Sequence, residues 1–257
     1  MRVAAIQYKA TKGDPHASRR ALVRLARTAA SGADLVVMPE MASTGYLFAN
    51  RAAVLRLAES PLGPTFQALA PVAAEHRCWL VAGIAEDAGA DLFNSAIVVD
   101  PAGALAFTYR KTLLFDADLT WATRGDSGYR RFDTDAGSFG VGICMDLNDP
   151  EFCAWAASAQ LDAIAFPTNW LDEGLPIHGY WAARLAGTGA TLVAANSWGF
   201  DVLAFAGRYP GRIATGAPLG VPFLGRSTVM TERRVIAVGP AAGDAIVRGE
   251  APGWGAR

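Results

Sequence analysis

Ser138-Phe139-Gly140-Val141-Gly142-Ile143-Cys144-Met145-Asp146-Leu147-Asn148 begins as a strand and stops at a cysteine. Its first residues are small and apolar, as a buried strand requires. The polar run Met145-Asp146-Leu147-Asn148-Asp149-Pro150 comes next, and then an Ala-rich helical pattern, Glu151 to Ala159. Cys144 therefore stands where a strand ends and a helix is about to begin. A turn of that kind exposes a nucleophile and leaves backbone N–H groups free to hold an oxyanion. Gly140 and Gly142 let a side chain or a second backbone come close to the strand. The competing reading is a buried packing cysteine, since free Cys is among the most buried residue types.

Upstream of this stretch, Val3-Ala4-Ala5-Ile6 suits a central strand, and Asp14 to Ala30 carries apolar residues at helical spacing. Asp34-Leu35-Val36-Val37-Met38 is a further strand, which Pro39 ends because proline has no N–H to give a ladder. Glu40 is thus delivered at a strand end. A carboxylate there is either solvated in the following loop or buried at a cost that demands a partner. Arg51 to His76 is helical, interrupted at Pro61-Leu62-Gly63-Pro64, with a second helix from about Thr65. After the strand Trp79 to Ile84, the runs Asn94–Asp100 and Leu105–Lys111 flank Pro101-Ala102-Gly103-Ala104, a β-hairpin with its turn chemistry in place. That hairpin ends in Arg110-Lys111, and Thr112 to Gly128 shows no period.

Downstream, Ala163 to Pro167 is a strand leading into the polar and aromatic loop Thr168 to Gly174. A helix from Tyr180 to Gly187 and a strand from Thr191 to Asn196 follow. Ser227–Met230 and Val235–Val238 form a last hairpin, and the tail from Gly239 is rich in Gly and Ala, suited to mobility or to docking on a partner. Strands alternate with helices and several are apolar on both faces, so the fold class is α/β with mixed sheets covered by helices. No repeat or linker divides the chain, which is expected to form one domain over residues 1–257.

The chain has 257 residues, 52% hydrophobic, with a formal net charge of −1. That length supports a substantial core. The charge balance, without a basic cluster, argues against nucleic acid or an anionic membrane as partner. No apolar run reaches membrane-spanning length, and the N-terminus lacks the pattern of a signal peptide. Cys78, Cys144 and Cys153 show no paired spacing, and His16, His76 and His178 no metal-ligand spacing, so no disulfide framework, metal or cofactor is expected. A reducing, cytoplasmic setting fits. Ser197-Trp198-Gly199 lacks the GxSxG context of a serine hydrolase, and no glycine fingerprint for a nucleotide occurs.

Three strand ends carry reactive side chains, Glu40, Lys111 and Cys144, and sites in layered α/β folds gather at strand ends. A carboxylate can take a thiol proton, an ammonium can hold a thiolate or an oxyanion, and a thiolate attacks carbonyl carbon. The segments Leu35-Val36-Val37-Met38-Pro39-Glu40, Tyr109-Arg110-Lys111-Thr112 and Gly142-Ile143-Cys144-Met145-Asp146, in this order, resemble the signature segments of the nitrilase superfamily of carbon–nitrogen hydrolases. The resemblance extends to the Gln7 strand, Phe166 to Trp170 and Ala194-Ala195-Asn196.

The resemblance implies a four-layer α-β-β-α sandwich, usually paired into at least a dimer. It implies that Cys144 is the nucleophile, forming a thioester, and that Glu40 is the general base and later the acid. It further implies that Lys111 and the Met145 backbone N–H stabilise the tetrahedral intermediate. Relatives often carry a second glutamate after the lysine. Here Asp118 is the nearest acidic candidate, while Asp116 and Asp118 also suit turn or solvent roles. Relatives also often have an arginine where Asn148 stands. Tyr46, Asn169, Trp170, Asp172, Glu173 and His178 are the substrate-binding candidates, and an inward Asp172 or Glu173 implies an acyl chain ending in a cation. The expected activity is ammonia release from a small linear carboxamide. A nitrilase or N-carbamoyl hydrolase is the alternative on the same site, and a catalytically silent binding protein the alternative from another class. Trp254 has no evident place inside one subunit and suggests burial in a homodimer.

Overall fold

The computed structural model describes residues 1–203, 208–209, 212–213 and 219–252. Two six-stranded mixed sheets form its centre. The first contains β1 (Arg2–Gln7), β2 (Leu35–Val37), β3 (Trp79–Ala88), β4 (Asp91–Val99), β5 (Leu105–Arg110) and β16 (Ala245–Glu250), in the order β16-β1-β2-β3-β4-β5. β1, β2 and β3 are parallel, and the other pairings are antiparallel. The second contains β6 (Arg131–Thr134), β7 (Gly137–Val141), β8 (Ala163–Thr168), β9 (Thr191–Asn196), β14 (Thr228–Met230) and β15 (Val235–Val238), in the order β15-β14-β9-β8-β7-β6. It repeats the plan, with β7, β8 and β9 parallel and antiparallel strands outside. β10 (Trp198–Leu203) pairs with β13 (Leu219–Leu224), and β11 (Arg208–Tyr209) with β12 (Arg212–Ile213), as two small ribbons.

The two-residue alternation of each strand builds the layers. Ala4, Ile6, Val36, Leu80 and Ala82 face α1 (Pro15–Ala30) and α3 (Pro64–His76) through Leu22, Ala26, Leu69 and Val72. Their neighbours Val3, Ala5, Leu35, Val37 and Val81 meet Val141, Ala163, Ala165, Val193 and Ala195 of the second sheet. The far side of that sheet, through Ile164, Phe166, Leu192 and Ala194, packs on α4 (Pro150–Ser158) and α5 (Ile177–Leu185). The result is the α-β-β-α order. Local chemistry starts the helices. The Asp14 and Asp149 carboxylates accept the N–H groups of Ala17 and Glu151, each at 2.9 Å, and a proline occupies the first turn of α1, α3 and α4. Asn50 caps the short α2 (Arg51–Leu55) in the same way.

Two expectations are corrected. α5 begins at Ile177 rather than Tyr180, because Pro176 ends the preceding loop one turn earlier. β6, β10 and β13 come from stretches with no clear strand pattern. The Gly/Ala-rich tail docks on its own chain: β16 pairs antiparallel with β1, with Val247 buried between the sheets and Ile246 against the helix side. Met1 and Ala251 then exchange two backbone hydrogen bonds, at 3.0 and 2.9 Å. Trp254 lies outside the described residues. No described helix is long and apolar enough to cross a membrane.

Candidate active site

The nucleophile candidate comes from the second sheet. β7 ends at Val141, and Cys144 opens a 3-10 helix, Cys144–Asn148, with φ +46°. A non-glycine residue in that left-handed region is strained and is held by its surroundings. The holder is Asp146. Its buried carboxylate accepts from Ile143 N–H (2.8 Å) and the Tyr109 hydroxyl (2.8 Å) on one oxygen. On the other it accepts from Thr112 N–H (3.0 Å), Leu113 N–H (2.9 Å) and the Thr112 hydroxyl (2.9 Å). Burial pushes the Asp146 carboxyl up from its ordinary value, and these donors pull it back. One side chain thus fastens the cysteine turn to the segment carrying Lys111. The close approach expected at Gly140 and Gly142 is occupied by the Trp155 and Phe152 rings, 2.5 and 2.4 Å from where a Cβ would stand.

The charged groups come from the first sheet. Glu40 follows β2 in a turn lying against Gly83 of β3, where an added Cβ would fall 2.5 Å from the Glu40 Cα. Lys111 follows β5, and its N–H donates to Asn94 of β4 at 2.9 Å. Lys111 Nζ donates to Glu40 Oε1 at 2.7 Å and to Asp118 Oδ2 at 2.6 Å, with all three side chains fully buried. Asp118 reaches the lysine despite its short side chain because a 3-10 turn, Asp118–Thr120, carries it inward, where it also accepts from Phe115 N–H at 3.0 Å. Asp116 stays exposed.

Asn94 was not singled out in the sequence. Its Nδ2 donates to both carboxylates, at 2.7 Å to Glu40 and 3.1 Å to Asp118. The only signal was an amide at the head of an apolar strand. Asn169, after β8, closes the group from the second sheet. Its N–H donates to Glu40 Oε2 and its Nδ2 to the Glu40 carbonyl, both at 2.9 Å.

All four carboxyl oxygens of Glu40 and Asp118 therefore accept hydrogen bonds. As carboxylates, with one ammonium, they carry a net buried charge of −1. Burial and the Asp118 charge raise the Glu40 carboxyl, against the pull of Lys111. Burial opposes the Lys111 ammonium, but Asp118, Glu40 and Cys144 together hold its pKa well above the ordinary lysine value. Burial and Glu40 push the Cys144 thiol up to about 12, against Lys111, the Thr168 hydroxyl and the Asn169 backbone. Thr168 Oγ1 is buried and makes no other hydrogen bond of ordinary geometry.

A cavity of about 530 Å³ opens beside the sulfur. Tyr46, Phe115, Met145, Asn148, Asn169, Trp170, Glu173, Leu175 and Tyr180 stand in its wall with Cys144. Asn148 Oδ1 accepts the Tyr180 hydroxyl proton. Tyr46 packs edge-on against Phe223 with ring centres 6.0 Å apart. A second cavity of about 630 Å³ borders Glu40 and shares Tyr46 and Asn169 with the first.

Two substrate-binding candidates are not in the wall of the first cavity. His178 is half-buried, with Nε2 3.1 Å from the Thr228 hydroxyl and its ring against Trp181, because α5 turns that position toward β14. Asp172 is exposed and its carboxylate accepts Gly174 N–H at 3.1 Å, closing a turn. No described group of three His, Cys, Asp or Glu side chains is placed to hold a metal ion.

Known proteins resemble this chain in both sequence and fold. A nitrilase of Pyrococcus abyssi is 42% identical over 139 residues, 54% of this chain and 53% of that protein. A protein N-terminal amidase of Saccharomyces cerevisiae is 29% identical over 169 residues, 54% of this chain and 37% of that protein. The chain thus spans about half, or less, of these relatives' lengths. An amidase from Nesterenkonia sp. AN1, solved with acrylamide added at its active-site cysteine, superposes with a TM-score of 0.77 at 19% identity, covering 98% of this chain and 93% of that one. At that identity the likeness is one of fold. The carbon-nitrogen hydrolase family matches residues 2–242, almost the whole sequence, and with the signature segments on the strand ends described above, the chain belongs to that family, within the nitrilase superfamily.

Proposed function

We propose that this chain is a cysteine-dependent amidohydrolase, which releases ammonia from a small carboxamide through an acyl-thioester on Cys144. The observation that carries this is the fully buried Glu40–Lys111–Asp118 group standing behind a strained cysteine at the base of an apolar cavity. Ionising the thiol to bulk water would raise the buried charge from −1 to −2, in a site where burial and then Glu40 already push the thiol up to about 12. Passing the proton to Glu40 keeps the charge at −1. The thiolate therefore forms by internal transfer, as sulfur attacks the amide carbon.

A lysine ammonium has three N–H donors. Glu40 and Asp118 take two from Lys111, and the third faces the developing oxyanion together with the Met145 N–H, which the first turn of its 3-10 helix leaves without a carbonyl. Glu40 then gives its proton to the amide nitrogen, the C–N bond breaks and ammonia leaves. Water, deprotonated by Glu40, attacks the thioester carbon. The carboxylic acid departs and the sulfur recovers its proton.

Butyramide bound in a cysteine-to-alanine mutant of the Nesterenkonia amidase supports a small amide as substrate, and Michael addition of acrylamide to the cysteine of another mutant supports a nucleophilic sulfur at that position. The Pyrococcus relative, a nitrilase by name, favours a second reading in which a nitrile carbon takes the same attack. Single-domain organisation over residues 1–257, a homodimer and a cytoplasmic location belong to the same proposal. Three unpaired cysteines support the last. The test is ammonia release from matched amides, nitriles and carbamoyl compounds, with intact mass after mixing. Amide turnover with an acyl adduct on Cys144 is expected. Nitrile turnover alone favours the second reading, and an adduct elsewhere, or Cys144→Ala with near-normal turnover, overturns the mechanism. Light scattering reports the mass, and a monomer at micromolar concentration removes the dimer.

A further inference from the structure

Apolar and aromatic side chains dominate the cavity wall. Phe115, Trp170, Leu175 and Tyr180 stand in it, and Leu175 is 68% exposed, apolar surface available to a ligand. Among the described residues of that wall there is no lysine, arginine or histidine, and one carboxylate, that of Glu173. Its backbone is pinned. Leu224 N–H donates to the Trp170 carbonyl and Asp172 N–H to the Pro222 carbonyl, both at 2.9 Å. Asp172 then closes the turn at Gly174, which has φ +69°. Asp172 uses its carboxylate on its own loop, whereas Glu173 has no ion pair or hydrogen bond to another described residue. Two cations stand close behind the wall without lining it: Lys111, committed to Glu40 and Asp118 behind the sulfur, and Arg184, 5.1 Å over the Tyr180 ring and donating to the Tyr180 hydroxyl at 3.1 Å.

We infer that Glu173 makes this pocket selective for amides whose acyl chain is apolar along its length and ends in a positive charge, an ammonium or guanidinium, and that it disfavours amides ending in a carboxylate. The inference rests on the amidase proposal for the reaction, and adds the charge of the substrate's far end. A carboxylate set in an apolar wall attracts a cation that reaches it, and the Trp170 face adds a cation–π contribution. Glu173 is exposed, so water and salt screen the pair and the expected preference is about fivefold.

The experiment uses three linear amides of one length: hexanamide, 6-aminohexanamide and the monoamide of adipic acid. In the native protein kcat/KM should follow the order cationic, neutral, anionic. Glu173→Gln should bring the cationic-to-neutral ratio close to one, Glu173→Lys should reverse the order, and Asp172→Asn should keep the native ratio. A ratio unmoved by Glu173→Gln, or an anionic amide handled as well as the cationic one, overturns the inference. Calorimetry on Cys144→Ala with the same amides separates this from the reaction itself. Charge-ordered binding that Glu173→Gln removes, without ammonia release by the native protein, sinks the amidase proposal and keeps the selectivity. Equal binding of all three, or none, overturns the selectivity, whatever the turnover.

Discussion

In the proposed mechanism Glu40 takes the thiol proton and must then be a carboxylate, and burial with Asp118 nearby raises its pKa above the ordinary 4.5. Activity should therefore fall as pH drops through that raised value, an acid limb above that of a free glutamate. On the alkaline side Lys111 is held well above 10.5 and the thiol at about 12, so no limb is expected near neutrality. Asp118→Asn removes the charge that helps to raise Glu40, so the acid limb should move to lower pH even as kcat falls; a pH–rate profile with an unmoved or raised limb contradicts this. Glu40→Gln keeps the shape but turns an amide NH₂ toward donors that the carboxylate accepted, either Lys111 and Asn94 or the Asn169 N–H. Turnover should drop by ~10²–10⁴, the range for losing a general base, measured as single-turnover ammonia release. The convergence of Cys144, Glu40 and Lys111 was legible because each follows an apolar strand in a recognisable segment. Asn94 was not, because an amide inside a strand becomes informative only once both carboxylates are seen to converge on it. Asp172 and Glu173 are adjacent, and sequence could not say which of them the turn would leave facing the cavity.

At the scale of the element, the 3-10 helix after Cys144 is secured by Asp146 more than by its own few hydrogen bonds. In Asp146→Asn an amide nitrogen must face either the Ile143 N–H and Tyr109 hydroxyl or the two backbone N–H groups on the other side. One buried donor set is left unmatched, at a cost of about 1–3 kcal/mol. Urea unfolding should register that loss, and kcat should fall further than KM rises, because the turn holds Cys144 against Lys111. A fall in stability with unchanged kcat would leave Asp146 a purely structural brace. The main strands and helices were legible from apolar period and capping residues. β16 was not, since Ala245-Ile246-Val247 is too short among Gly and Ala to show its alternation, and its partner is at the opposite end of the sequence. β6 is likewise defined by pairing with β7 rather than by its own residues.

For the whole molecule, the site exists only while the two sheets stay packed. Glu40, Lys111 and Asp118 arrive from one sheet, and Cys144 and Asn169 from the other. Phe139 is fully buried between the sheets, stacked on Phe132 with centres 4.9 Å apart and edge-on to Trp79. Phe139→Ala should cost about 3–5 kcal/mol, with activity and tryptophan fluorescence lost over the same urea range; activity surviving past the fluorescence transition would show that the site does not need the packed sandwich. The pairing of β1 with β16 also has a consequence in time. The bond between Met1 and Ala251 joins residues 250 apart in the chain. Synthesis at about 5–20 residues per second puts roughly ten to fifty seconds between them. Throughout that interval β1, apolar on both faces, can pair with β2 on one side only and offers its other edge to any extended segment it meets. The newborn chain is thus open to mispairing with its neighbours on the ribosome until its own tail arrives to close the sheet.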